Sequence, residues 1–132
     1  MDLETINVEK IEKVAIIKLN RPELLNAVNE QRVWDFQKAT ESVKNDESIR
    51  VVIITGSGRG FSAGADLSER KASWKGSKDA LMRGYKPFFE NITSMPKPVI
   101  GAIAGPAAGI GAAIAMSCDL RVMSDDSYIL SV

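Results

Sequence analysis

The chain reads as an α/β protein, and three observations carry that reading. Val51-Val52-Ile53-Ile54-Thr55 is a continuous β-branched run, the pattern of a strand buried on both faces. Before it lies an amphipathic stretch in which Val33, Phe36, Ala39 and Val43 recur at three- and four-residue spacing, as on one buried helix face. The order strand, glycine-bearing turn, helix occurs at Val51 and again at Val99. A helix crossing between buried strands belongs to an α/β architecture.

Taken in order, Leu3 to Val8 and Val14 to Leu19 are predicted strands of a hairpin, joined by the charged run Glu9 to Lys13. Asn20-Arg21-Pro22 ends the second strand. Leu24, Leu25, Ala27 and Val28 are too apolar for a merely solvated loop. Asn29 is placed to cap a helix reaching about Asn45, closed by Asp46-Glu47-Ser48. The strand at Val51 runs into Gly56-Ser57-Gly58-Arg59-Gly60-Phe61-Ser62-Ala63-Gly64-Ala65-Asp66-Leu67, a loop with four glycines. It lacks the third glycine of a dinucleotide fingerprint and the Gly-Lys-Ser/Thr of a P-loop. Two readings remain for it: a turn using glycine dihedrals, or a loop whose backbone N–H groups near Ala65 face a ligand. Ser68 to Lys78 is polar, with Arg70, Lys71, Lys75 and Lys78 around Trp74, either a solvated face or a basic segment suited to phosphates. A helix begins at Ser77 or Asp79, bends or restarts at Gly84 and Pro87, and turns Phe88, Phe89 and Ile92 inward.

The most unusual tract is Pro98 to Cys118, which contains no charged residue. Val99 to Ala104 reads as a buried strand, Gly105-Pro106 as a break, and Ala107 to Met116 as a small-residue helix. The small-xxx-small spacing of Gly101, Gly105 and Gly109 also fits a membrane helix, but Ala, Gly and two prolines leave the tract too weakly apolar to insert. A close-packed core helix and a site-building turn both remain. In the second reading the first helical turn offers unpaired N–H groups and the positive dipole end to an oxyanion, with Gly109 and Gly111 leaving room. Leu120 to Met123 and Tyr128 to Val132 are further predicted strands around a turn at Ser124 to Ser127.

Composition narrows the function. Seventeen basic and seventeen acidic side chains give a net charge of zero, which argues against nucleic acid or an anionic membrane as the main partner. The absence of histidine removes Ser-His-Asp and Cys-His catalysis and histidine metal sites from these 132 residues. The single cysteine, Cys118, reads as a buried reduced thiol, and the acidic N-terminus lacks a signal-peptide pattern, so a cytoplasmic setting is expected.

Asn20-Arg21-Pro22 through Asn26-Ala27, Gly60 through Leu67, Lys97 through Gly105, Ala108-Gly109-Ile110-Gly111 and Cys118-Asp119-Leu120 occur in order over nearly the whole chain. Together they resemble the enoyl-CoA hydratase/isomerase (crotonase) family. The resemblance implies a ββα spiral, incomplete here, with residues 1–132 as the N-terminal part of one crotonase-like domain. It also implies an acyl-CoA thioester substrate, no separate cofactor beyond coenzyme A as part of that substrate, and a homotrimer or dimer of trimers at full length. By residue match the backbone N–H groups of Ala65 and Ile110 form an oxyanion hole. Substrate contacts are expected from Leu24, Leu25, Ala27, Ala63, Gly64, Asp66, Leu67, Gly109 and Ala113. Ala113 stands where hydratases of the family carry a catalytic glutamate, and the second family carboxylate is expected past Val132. Tyr85-Lys86-Pro87-Phe88, Ala107-Ala108-Gly109 and Ala113 look more like the phenylacetate-pathway type of acyl-CoA isomerase. The expected function is therefore an acyl-CoA isomerase working through a thioester enolate. A hydratase, and a non-catalytic acyl-CoA-binding or assembly module, are the alternatives.

Overall fold

The computed structural model describes residues 2–131. β1 (Ile6–Ile11) and β2 (Val14–Leu19) form the expected hairpin, but with Ile11 opposite Val14 the turn is only Glu12-Lys13, and Glu12 adopts φ 55°. The first strand therefore starts and ends three residues later than the apolar pattern placed it. Its expected opening is held elsewhere: the Glu4 and Thr5 N–H groups and the Thr5 hydroxyl all donate to Asp35 Oδ2, at 3.1, 2.9 and 2.8 Å. A 3-10 turn at Pro22–Leu24 leads to α1 (Glu30–Asn45), where Asn29 Oδ1 accepts the Arg32 N–H at 2.9 Å as the expected cap. Val33, Phe36, Ala39 and Val43 are all buried, so the periodic face is the one that packs.

β3 (Val51–Gly56), β4 (Val99–Ile103) and β6 (Leu120–Met123) extend the hairpin into a five-stranded sheet in the order β1-β2-β3-β4-β6, parallel from β2 onward. In β3 only Val52 and Ile54 are fully buried, and Val51 and Ile53 are partly covered. The β-branched run thus has one fully buried face, not two.

Between β3 and β4 the chain runs through α2 (Ser77–Asp79), a π-helical turn at Ala80–Tyr85 and α3 (Lys86–Thr93) without a break. The expected bend is this π turn: the Lys86 N–H reaches back five residues to the Leu81 carbonyl, just before Pro87, which has no N–H to offer. Gly84 is needed at its inner face, because a Cβ there would lie 2.8 Å from the Trp74 ring and 3.1 Å from Val33. Phe88 and Ile92 are buried, and Phe36 and Phe88 stack with centroids 4.8 Å apart, joining α3 to α1.

The largest correction falls in the uncharged tract. Ala107 does not begin a helix: β5 (Pro106–Ala108) is a strand, and α4 (Ile110–Ser117) begins only after Gly109, whose φ of 55° and ψ of −123° suit glycine. Pairing decides this, since the Ala108 N–H donates to Ser62 O at 2.9 Å and β5 runs parallel to β7 (Tyr128–Leu130). Residue 132, assigned to the last strand on sequence, lies outside the described residues. Cys118 is buried beside Gly101, and burial pushes its thiol pKa up to about 11, as fits a reduced structural cysteine. Among the described residues no helix is long and apolar enough to cross a membrane.

Candidate active site

A second, smaller set of strand pairings lies outside the five-stranded sheet. It consists of single bridges and one short ladder: Val28 beside Ala65, Ser62 beside Ala107, and Ala107 beside Ile129, all parallel. Ala65 and Ile110 each lie three residues beyond the Ser62–Ala107 bridge, at matching places on neighbouring segments. Gly64 lets those segments touch: its φ is +101°, and a Cβ there would be 3.0 Å from Ala108 O and 3.8 Å from Gly109 Cα.

The direction of the two N–H groups follows from peptide planarity. In a trans peptide, C=O and the following N–H point opposite ways. Gly64 O accepts the Val28 N–H at 2.7 Å, so the Ala65 N–H points away from Val28. Gly109 O accepts the Ala113 N–H at 3.1 Å along α4, so the Ile110 N–H points out of the N-terminal end of α4. Among the described residues neither Ala65 N–H nor Ile110 N–H finds an acceptor. Two unpaired donors, one of them at the positive end of a helix dipole, suit an oxygen that gains negative charge.

A cavity of about 540 Å³ runs along one face of α4, from Gly109 before its first turn to Ser117 at its end, lined by Phe89, Ala112, Ala113 and Met116 among others. Ala113 is thus on the cavity wall one turn past Gly109, and none of these side chains is a carboxylate. The remaining expected contacts surround the first loop. Leu25 and Ala27 are half-buried, Leu24, Ala63 and Ala65 are exposed, and Leu67 is 88% exposed. The basic segment is not loose: the Glu69 carboxylate accepts the Glu30 N–H at 3.0 Å, and the Glu30 carboxylate takes the Ser73 N–H at 2.7 Å. The Trp74 ring lies 5.2 Å from that of Trp34, with the Arg83 guanidinium 5.4 Å above Trp74. Arg70, Lys71, Lys75 and Lys78 project from this pinned strap into solvent. Among the described residues no group of three or more His, Cys, Asp or Glu gathers as metal ligands.

A buried polar network holds the first loop, and sequence reasoning gave its members no role. Asn26 is fully buried: its Oδ1 accepts the Arg21 N–H at 2.8 Å and its Nδ2 donates to Ser57 O at 2.8 Å and Gly60 O at 2.9 Å. Its carbonyl accepts from the Ser62 hydroxyl at 2.9 Å and from Arg32 Nη1 at 3.1 Å. Arg32 is itself buried, which lowers its guanidinium pKa to about 10, and Thr5 supplies two more acceptors. The legible signal was Asn26 inside the apolar run Leu24 to Val28, and Arg32 four residues before Phe36 on the buried face of α1.

Asp66 ends the bridged segment. Its Oδ1 accepts from the Ser68 N–H and hydroxyl at 2.9 and 2.6 Å, and its Oδ2 accepts from Arg21 Nη2 at 3.0 Å. The Ser68 hydrogen bonds, then the Arg21 contact, hold its carboxyl below the usual aspartate range. A carboxylate depressed in the folded state contributes stability above its unfolded pKa and loses it as pH falls through the folded value. An NMR titration of the Asp66 carboxyl is therefore expected to give a midpoint below that of an unfolded aspartate, with the loop ordered down to that pH. A midpoint at or above the unfolded value refutes it.

The sequence and fold as a whole match known proteins. The model of the enoyl-CoA hydratase/isomerase family matches residues 9–131. The chain belongs to that family. It is 39% identical over 130 residues to the short-chain-enoyl-CoA hydratase of Clostridium acetobutylicum, covering 96% of this chain and 49% of that protein. It is also 39% identical over 113 residues to the 1,2-epoxyphenylacetyl-CoA isomerase of Escherichia coli, covering 83% of this chain and 43% of the relative. Among solved structures, an enoyl-CoA hydratase/carnithine racemase from Magnetospirillum magneticum superposes with a TM-score of 0.88 at 29% identity, over 98% of this chain and 50% of that one. The fold is thus the crotonase fold, present in part: this family member spans about half the length of the curated relatives it matches.

Proposed function

We propose that this half-length crotonase chain carries the oxyanion hole of an acyl-CoA isomerase, with Ala65 N–H and Ile110 N–H donating to the thioester oxygen. The observation that supports this best is the pair of unpaired N–H groups at matching register, the second on the residue after Gly109, which lines the same cavity as Ala113. A base removes the proton on the carbon next to the thioester carbonyl, the electron pair moves onto the oxygen, and the two donors stabilise the resulting enolate. The proton then returns at another carbon of the conjugated system, which shifts the double bond. None of the cavity side chains named above is a carboxylate, so in this reading the carboxylate base is supplied from elsewhere in the full-length protein. Coenzyme A lies along Leu24, Leu25, Ala27 and the Ala63 to Leu67 segment, with its phosphates toward Arg70, Lys71, Lys75 and Lys78.

Hydration is the second reading, favoured by the name of the Clostridium acetobutylicum relative. A non-catalytic acyl-CoA-binding module is the third, and the lack of a carboxylate among those wall residues favours it. The test common to both enzyme readings is optical. 2,4-Hexadienoyl-CoA bound to the protein is expected to absorb to the red of the free compound, because donors on the carbonyl oxygen polarise the conjugated acyl group. Binding without a red shift overturns the oxyanion-hole reading.

A further inference from the structure

Arg21 has no assigned role, yet its contacts converge on the bridge that carries Ala65. Its Nη1 donates to Ala27 O at 2.7 Å and its Nη2 donates to Asp66 Oδ2 at 3.0 Å. Those two acceptors lie on the two strands of the Val28–Ala65 bridge, one on each side of it. The guanidinium therefore staples the bridge across its width. Its own backbone is fixed in turn, since the Arg21 N–H donates to the buried Asn26 side chain at 2.8 Å.

That staple matters because hydrogen bonds to the Ala65 segment come mostly from the backbone. Among the described residues, Val28 N–H to Gly64 O at 2.7 Å and Asp66 N–H to Val28 O at 2.9 Å flank the Ala65 peptide, with Ala63 N–H to Leu25 O at 2.9 Å and Gly64 N–H to Ser62 Oγ at 3.4 Å just before it. On one side is Gly64 at φ +101°, a residue with soft dihedrals, and on the other the chain leaves into the exposed Leu67. Rotation of the Gly64–Ala65 peptide swings the N–H away from its target, and both flanking bonds depend on where Val28 and Asp66 are held. Planar, two-pronged donation of this kind is specific to arginine. The Arg21 and Asp66 side chains are 13% and 10% exposed, and a pair at that depth adds little net stability once its desolvation is counted. Its geometric effect is the larger one.

We infer that Arg21 and Asp66 form a clamp that aims the Ala65 N–H at the thioester oxygen, both acting as positioning residues. This rests on the oxyanion-hole reading proposed above. Neither residue transfers a proton; the clamp sets donor geometry only.

The experiment compares the unmodified protein with Arg21→Gln, Arg21→Lys, Asp66→Asn and the double variant Arg21→Gln/Asp66→Asn. Asparagine keeps the Oδ1 that accepts from Ser68 and removes only the acceptor facing Arg21. Each variant is measured for the red shift of bound 2,4-hexadienoyl-CoA, for affinity toward coenzyme A without an acyl group, and for thermal unfolding. Arg21→Gln and Asp66→Asn are expected to lose most of the red shift and to lower kcat about tenfold to a hundredfold, the cost of a misplaced group. Coenzyme A affinity stays unchanged in Arg21→Gln, Arg21→Lys recovers part of the shift, and the double variant loses no more of the shift than either single one. Full red shift in both single variants overturns the clamp while leaving the oxyanion hole standing. Loss of coenzyme A binding and folding in step with the shift also overturns it, because the pair is then a general structural tie. An unmodified protein that binds the thioester with no shift overturns the oxyanion hole, and the clamp with it.

Discussion

Gly111→Ala is expected to destabilise the protein by about 3 kcal/mol and to abolish the red shift of a bound dienoyl thioester, by the mechanism of overpacking. A Cβ at Gly111 would lie 2.4 Å from Ser62 O and 2.6 Å from Ser62 Cβ. The first contact is with backbone, so no side-chain rotation relieves it. The first turn of α4 must back away from the Ser62 strand, which carries Ile110 away from Ala65. Gly64→Ala tests the same contact from the other side: φ +101° costs an L-residue about 1–2 kcal/mol, and the new Cβ would meet Ala108 O at 3.0 Å. Thermal unfolding and the absorption of bound 2,4-hexadienoyl-CoA measure both variants. A Gly111→Ala protein with unchanged stability and a full red shift refutes the close approach of the two segments.

Installing a carboxylate at Ala113 is expected to have the largest effect on activity. The side chain faces the cavity and is only half-buried, so a longer one extends into open space without entering the core. Hydration of an enoyl thioester needs a group that activates water and delivers a proton, and a positioned acid/base supplies about 10²–10⁴-fold. The full-length protein should therefore isomerise enoyl thioesters in preference to hydrating them. Ala113→Glu should raise crotonyl-CoA hydration by at least about a hundredfold. If the unmodified protein hydrates crotonyl-CoA at about 10 s⁻¹ or faster, a rate ordinary for enzymes, the isomerase reading is wrong and the hydratase reading stands.

Most elements were readable from the chain because local chemistry set them. Asn29 caps α1, Val33, Phe36, Ala39 and Val43 form its buried face, and the β-branched run from Val51 is a strand. The misplacements share a cause. β1 begins late because Asp35, thirty residues on, captures the Thr5 N–H, and β5 replaces the first turn of a helix because Ser62 pairs with Ala107. Neither partner is visible in a window of neighbouring residues. The site divides the same way. The glycine tracts were legible, since few other residues tolerate the dihedrals at Gly64 and Gly109. Arg21 and Asn26 went without roles because their partners Asp66 and Gly60 lie 45 and 34 positions away.

The short second set of strand pairings has a consequence for how such a sequence can change in length. Because Ala65 and Ile110 are both counted from one bridge, Ser62 beside Ala107, the two donors share a ruler with no slack in it. One residue inserted between Ser62 and Ala65, or between Ala107 and Ile110, would break the equal count from the bridge and displace one donor relative to the other even if every strand still formed. The strap from Ser68 to Gly76 is tied instead by side chains, Glu69 and Ser73 to α1 and Trp74 to Trp34, so extra residues there bulge into solvent. Insertions and deletions during divergence should accumulate in the strap and be absent from the two three-residue spacers.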